Sequence, residues 1–139
     1  MMVQQLSTAQ NSHKATAYIL KILADPTRLR LLEIIQHGEH NVTALRPILA
    51  IPQPAVSHHL SLLKDAELIV SRRNGRKIFY RLNSKHVWTN PQDGSLEVSV
   101  GSLHLRLSKL AHNGEISQAA AIPAVQIETN IAALTAIRT

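Results

Sequence analysis

The 139-residue sequence has no cysteine, which excludes disulfide scaffolds, thiolate zinc sites, iron–sulfur clusters and cysteine nucleophiles together. Any metal would have to be held by histidine and carboxylate ligands. Aromatic residues make up only 3% of the chain, and all four (Tyr18, Phe79, Tyr80 and Trp88) fall in the first two thirds, where the folded core is therefore expected. Acidic residues are scarce: nine Asp and Glu against fifteen Lys and Arg leave a formal charge of +6, which favours a polyanionic partner such as nucleic acid. No stretch reaches the roughly 18 consecutive apolar residues of a membrane span, and Met1 to Asn11 has no apolar signal-peptide core, so a cytoplasmic protein is expected.

With 45% hydrophobic and 17% charged residues the chain can bury a real core, and its length suits one compact domain plus an extra segment. Charge is unevenly placed. Residues 1–92 carry twelve Lys and Arg against five Asp and Glu, whereas residues 93–139 carry three against four. The turn-forming run Asn90-Pro91-Gln92-Asp93-Gly94 marks a boundary between residues 12–90 and an extension over 91–139.

Ala15, Tyr18, Ile19, Ile22 and Leu23 recur at the spacing of one helical face. Asp25-Pro26 then starts a second helix, since Asp caps orphan amides and Pro at the first position loses no needed donor. Leu29, Leu31, Leu32, Ile34 and Ile35 make it the central packed helix, with Arg28 and Arg30 outside, stopping at His37-Gly38. A short third helix through Val42, Leu45, Ile48 and Leu49 is expected, capped by Thr43 so that Pro47 falls in its first turn. After a tight connection, Pro54 opens a fourth helix that buries Val56, Leu60 and Leu63, completing a helix-turn-helix.

On that fourth helix Pro54, Ser57, His58 and Ser61 point away from the buried row, with Lys64 at the edge, while His59 turns toward the core side. Small polar side chains allow close approach to a DNA groove, although the same face also suits plain solvent. The next segment decides between them. Ile69 to Leu82 alternates about Asn74-Gly75, a strong hairpin signal, and six of the fifteen basic residues (Arg72, Arg73, Arg76, Lys77, Arg81, Lys85) lie between Ser71 and His86 with no acid among them. A helix-turn-helix followed by a basic hairpin is a winged-helix arrangement, with one helix in the major groove and the wing on the backbone or minor groove. The fold class is mainly α with a β-hairpin wing.

Three stretches carry a family resemblance: Leu23-Ala-Asp-Pro-Thr-Arg-Leu-Arg-Leu-Leu-Glu-Ile-Ile35, Gln53-Pro-Ala-Val-Ser-His-His-Leu-Ser-Leu-Leu-Lys-Asp-Ala66 and Arg73-Asn-Gly-Arg-Lys-Ile-Phe-Tyr-Arg-Leu82. Over about residues 12–90 the chain resembles the ArsR/SmtB-type bacterial winged-helix repressors. The resemblance implies a homodimer on an inverted-repeat operator of double-stranded DNA, released by an effector. It matches Gln53, Ala55, Ser57, His58 and Ser61, with Lys64 beside them, to the recognition helix, and Arg72, Arg73, Asn74, Arg76 and Lys77 to the wing. It also implies a dimer interface through Ala15, Tyr18, Ile19 and Ile22 of the first helix.

Departures from the family are informative. Where metal-sensing members place two cysteines, this chain reads Glu39-His-Asn-Val-Thr-Ala-Leu45, so Asn41 and Thr43 remove the thiolates and with them arsenite, cadmium or lead sensing by that route. Of a second family site after the wing, Ser84 replaces the Asp, His86 matches the first His, and the partner positions hold Glu97 and Val100. His37 with His40, or His104 with His112 and Glu115, could still form a nitrogen/oxygen site, but none shows a recognised ligand spacing, so no metal or other cofactor is expected. A second hairpin is expected over 95–108, where Leu96, Val98 and Val100, then Leu103, Leu105 and Leu107, alternate around Gly101-Ser102. The Ala-rich tail over 115–139 is weakly helical near Asn130 to Ile137. No phosphate-cradling loop or nucleophile–base set appears, so an enzyme is not expected. The leading expectation is a dimeric DNA-binding repressor. A protein-interaction module working through the C-terminal hairpin and a His/carboxylate metal-responsive repressor stand as alternatives.

Overall fold

A computed structural model describes residues 2–108 and 125–126. The chain runs α1 (Met2–Leu23), α2 (Pro26–Ile35), β1 (His40–Asn41), α3 (Val42–Leu49), α4 (Gln53–Asp65), β2 (Ile69–Asn74), β3 (Lys77–Leu82), β4 (Val87–Thr89), β5 (Leu96–Val100), β6 (Leu103–Leu107) and β7 (Val125–Gln126). One antiparallel sheet has the order β1-β3-β2 and the other β4-β5-β6-β7. The expected helix at Asn130 to Ile137, together with His112 and Glu115, lies outside the described residues.

Helix α2 starts as its sequence dictates. Asp25 is extended, and its Oδ1 accepts from the amides of Thr27 at 2.9 Å and Arg28 at 3.1 Å, with Pro26 at the first helical position. Partial burial raises the Asp25 carboxyl, but the Arg28 amide and guanidinium, the His59 ring and the Thr27 amide outweigh it and hold the group below its ordinary value of 3.8. Asp25→Ala is expected to cost about 1 kcal/mol. In wild type that contribution is full above the ordinary value and fades as acid takes the protein through the lowered folded value. Urea unfolding of both proteins at neutral and strongly acidic pH should show the gap closing in acid.

Leu31, Leu32 and Ile35 of α2 meet Ile19, Ile22 and Leu23 of α1, Leu45 of α3, and Val56, Leu60 and Leu63 of α4 in a single buried cluster. Val87, Leu96, Val98 and Leu105 of the second sheet join the same cluster. Strand β4 lies inside the 12–90 stretch, yet it pairs with β5 beyond the Asn90 turn, so the sheet runs across that turn. The second hairpin follows its alternation: Leu96 faces Leu107, Val98 faces Leu105 and Val100 faces Leu103, with Gly101 at φ +58° in the turn.

The structure corrects four local expectations. Asn41, not Thr43, caps α3: it is extended and accepts from the Ala44 amide at 2.8 Å. An amide oxygen two residues earlier wins the capping role, and Pro47 consequently sits inside the helix rather than in its first turn. Helix α4 opens at Gln53 with Pro52 as its cap, which leaves Pro54 within the first turn. The wing turns at Gly75-Arg76 instead of Asn74-Gly75, because Asn74 is still paired with Lys77 and Gly75 takes the first turn position at φ +63°. Finally, Arg28 does not stay outside, since its side chain is only 12% exposed. Strands β1 and β4, two and three residues long, had no signal of their own.

Candidate nucleic-acid interface

Helix α4 is held from below by Val56, Leu60 and Leu63, each fully buried. That row fixes which residues face outward. Gln53, Pro54, His58, Ser61 and Lys64 are exposed, Ala55 and Ser57 are half-buried, and His59 is half-buried on the flank. The outward surface is therefore the small, mostly uncharged one read from the sequence.

The chain leaves α4 through Ala66, Glu67 in the left-handed region at φ +59°, and Leu68, and then enters β2. Asn83 at the far end of the wing clamps this corner: its side-chain amide donates to the Glu67 carbonyl at 2.8 Å and its backbone amide to that of Leu68 at 3.0 Å. The base of the wing is thus bonded to the corner that ends α4. Along the hairpin Ile69 pairs with Leu82, Ser71 with Tyr80 and Arg73 with Ile78. Arg73, Asn74, Arg76 and Lys77 are all exposed at or beside the tip.

Arg72 differs from its neighbours. Its Nε and Nη2 donate to both carboxylate oxygens of Glu39 at 2.6–2.9 Å, and its guanidinium carbon lies 5.3 Å from the centre of the Phe79 ring. Arg81 Nε stands 3.9 Å from the same carboxylate. The Arg72 hydrogen bonds hold the Glu39 carboxyl below its ordinary range and push the Arg72 guanidinium up. Arg73, Arg76 and Lys77 form no ion pair among the described residues, so the wing's unneutralised charge sits at its tip. Glu39 escaped the sequence reading. Its one signal is that it is the only acid between Glu33 and Asp65.

Of the first-helix residues expected at a dimer contact, Ala15 and Tyr18 are exposed, the latter at 43%. Ile19 and Ile22 do not face outward as well as inward: at 4% and 5% exposed they belong to the chain's own core. Leu20, not anticipated, is 41% exposed on α1.

Among the described residues the metal candidates are not gathered; the set of His104 with His112 and Glu115 lies partly outside them. His86 Nδ1 donates to the Ser99 carbonyl at 3.1 Å, and its Nε2 is 3.9 Å from Glu67; His40 Nδ1 donates to the Gly38 carbonyl at 2.8 Å. Glu97 is buried beside His104 Nε2 at 3.1 Å, with Arg106 Nε 3.6 Å away. Among the described residues no group of three His, Asp or Glu side chains could hold a metal ion. Nor is any helix among them long and apolar enough to cross a membrane.

Comparison with known proteins places this geometry. Residues 25–71 match the family described as bacterial regulatory protein, arsR family. An arsenical resistance operon repressor from Staphylococcus xylosus is 42% identical over 72 residues, which are 52% of this chain and 69% of that protein. The crystal structure of NolR from Sinorhizobium fredii is similar at a TM-score of 0.51 and 31% identity, over 54% of this chain and 75% of that one. A homodimeric winged helix-turn-helix DNA-binding domain from Mycobacterium bovis, described as a possible ArsR-family regulator, is similar at a TM-score of 0.50 and 29% identity, over 52% of this chain and 67% of its own. Helix-turn-helix, hairpin wing and sequence agree, and the chain belongs to the arsR family of bacterial regulatory proteins.

Proposed function

We propose that this chain is a homodimeric transcriptional repressor that reads an inverted-repeat DNA operator. Residues 12–90 form the DNA-binding unit, and the hairpin over 95–108 completes the core through Leu96, Val98 and Leu105. Gln53, Ala55, Ser57, His58, Ser61 and Lys64 of α4 lie along the major groove, and Arg73, Asn74, Arg76 and Lys77 grip phosphate. Ala15 and Tyr18 contribute to the contact between subunits. The observation that carries this reading is the exposed small polar face of α4, bonded through Asn83 to a hairpin with unneutralised cations at its tip. With no cysteine in the chain, any effector acts by a route other than thiolate ligation.

In vitro selection from random duplexes tests it. Recovery of a sequence with two related half-sites about 10 bp apart, or a multiple of that, is expected, with two chains per site by sedimentation. Enrichment of no sequence at low salt would overturn the reading, and a one-chain complex would overturn the dimer.

Glu39 modulates this function by holding Arg72 and Arg81. Glu39→Gln should release one or both toward DNA phosphate and so tighten binding to every sequence. Each added phosphate contact steepens the log–log salt dependence by about 0.9 and strengthens binding about fivefold near 0.15 M salt. Fluorescence anisotropy titrations at four salt concentrations measure both; an unchanged slope would show that these arginines never reach the backbone.

A further inference from the structure

Arg28 distributes its donors over three helices. Its Nε donates to the Ile22 carbonyl at 2.5 Å and Nη2 to that of Lys21 at 3.5 Å, both in the last turn of α1, where no intrahelical amide follows. A cation there also opposes the negative end of the helix. Its Nη1 lies 3.7 Å from Asp25, the cap of α2, and 3.3 Å from Nδ1 of His59 on α4. One planar group thus ties the end of α1 and the start of α2 to the middle of the candidate recognition helix.

The direction of the last bond is set by chemistry. A guanidinium has no acceptor, so it must donate, and His59 Nδ1 must offer a lone pair. Only the neutral ring protonated at Nε2 can do so. A second proton would replace the hydrogen bond with two facing cations.

We propose that Arg28 and His59 form a positioning link that fixes how α4 is set against the end of α1, and that the link holds only while His59 is uncharged. The proposal rests on the DNA-binding reading above. Around His59 stand Arg28 from α2, Asp25 at the start of that helix, and His58 on its own helix with ring centres 5.8 Å apart, while Arg28 in turn holds the Ile22 and Lys21 carbonyls of α1. Asp25 favours a charged ring, but its carboxylate is already engaged by the amides of Thr27 and Arg28. His58 is exposed on the proposed DNA face among the residues that read bases, so its protonation changes sequence preference as well as general attraction. Protonation of His59 instead loosens the helix and lowers discrimination between sequences. A pH series is therefore run in His58→Asn as well, where only His59 of the pair can change charge.

The test measures the ratio of specific to non-specific affinity for the full chain, on the selected site and on scrambled DNA, at a series of pH values between about 8 and 5.5. In His58→Asn the ratio should fall roughly tenfold on acidification, the effect of losing one hydrogen bond to a charged partner. His59→Asn places a non-titrating oxygen near the Nδ1 position and should keep the high ratio and, added to His58→Asn, remove its pH dependence. His59→Leu, without an acceptor, should show the low ratio throughout, as should Arg28→Lys, whose single ammonium cannot span the same partners. A His59→Leu ratio within twofold of wild type, or a pH dependence in His58→Asn that survives when His59→Asn is added, overturns the link. A readout without DNA keeps this separate from the functional reading: by NMR the Arg28 guanidinium protons should exchange slowly in wild type and faster in His59→Leu. Equal exchange refutes the link even if DNA binds, whereas slowed exchange without sequence-selective binding refutes the DNA reading alone.

Discussion

Replacing Arg73 and Arg76 together with alanine should weaken binding to every duplex alike, by on the order of 30-fold near 0.15 M salt if each residue makes one phosphate contact. The magnitude follows from counterion release: two lost contacts lower the log–log salt slope by about 1.8, and the electrostatic contribution vanishes near 1 M salt. Both side chains are exposed at the wing tip, so the fold should be undisturbed and the far-ultraviolet circular dichroism unchanged. His58→Ala and Ser57→Ala should behave differently, redistributing preference among sequences while leaving the salt slope nearly intact. Binding titrations on the selected site and two single-base variants distinguish the sets. Equal losses on all sequences from both would show that α4 does not read bases.

The largest effect on stability is expected from Leu60→Ala. Leu60 is fully buried in α4 between Val56 and Leu63, where truncation removes transfer energy and leaves a cavity, costing about 2–5 kcal/mol. Set against a total of roughly 5–15 kcal/mol for a typical domain, that is enough to leave the helix-turn-helix marginal at growth temperature. One position on, Ser61 is exposed, and Ser61→Ala should stay within about 0.5 kcal/mol. Urea unfolding followed by circular dichroism measures both. A Leu60→Ala cost below 1 kcal/mol would mean that α4 is not seated on the core by this row.

These two residues also show why much of the interface was legible beforehand. Apolar residues at helical spacing decide which side of α4 is buried and thereby which side is presented, so Leu60 inward and Ser61 outward follow from neighbouring positions alone. The wing was legible for the same reason at period two, with glycine marking the reversal; only its turn was displaced by one residue, because Asn74 keeps its pairing with Lys77. The second hairpin declared itself through paired alternation around Gly101. Glu39 and Arg28 were not legible. Arg72 lies 33 positions from its carboxylate, and His59 lies 31 from its guanidinium, so nothing in local spacing joins them.

The sequence by itself determined the elements, their buried sides, the concentration of positive charge in the hairpin and the loss of thiolate chemistry, since all of these depend on residue type and short-range period. Only the tertiary structure decided which of the wing cations are neutralised, that Ile19 and Ile22 are committed to the chain's own core, and that Arg28 turns inward to bridge three helices. Ion pairs and hydrogen bonds act over a few ångströms, and chain folding, not sequence distance, sets which side chains come that close.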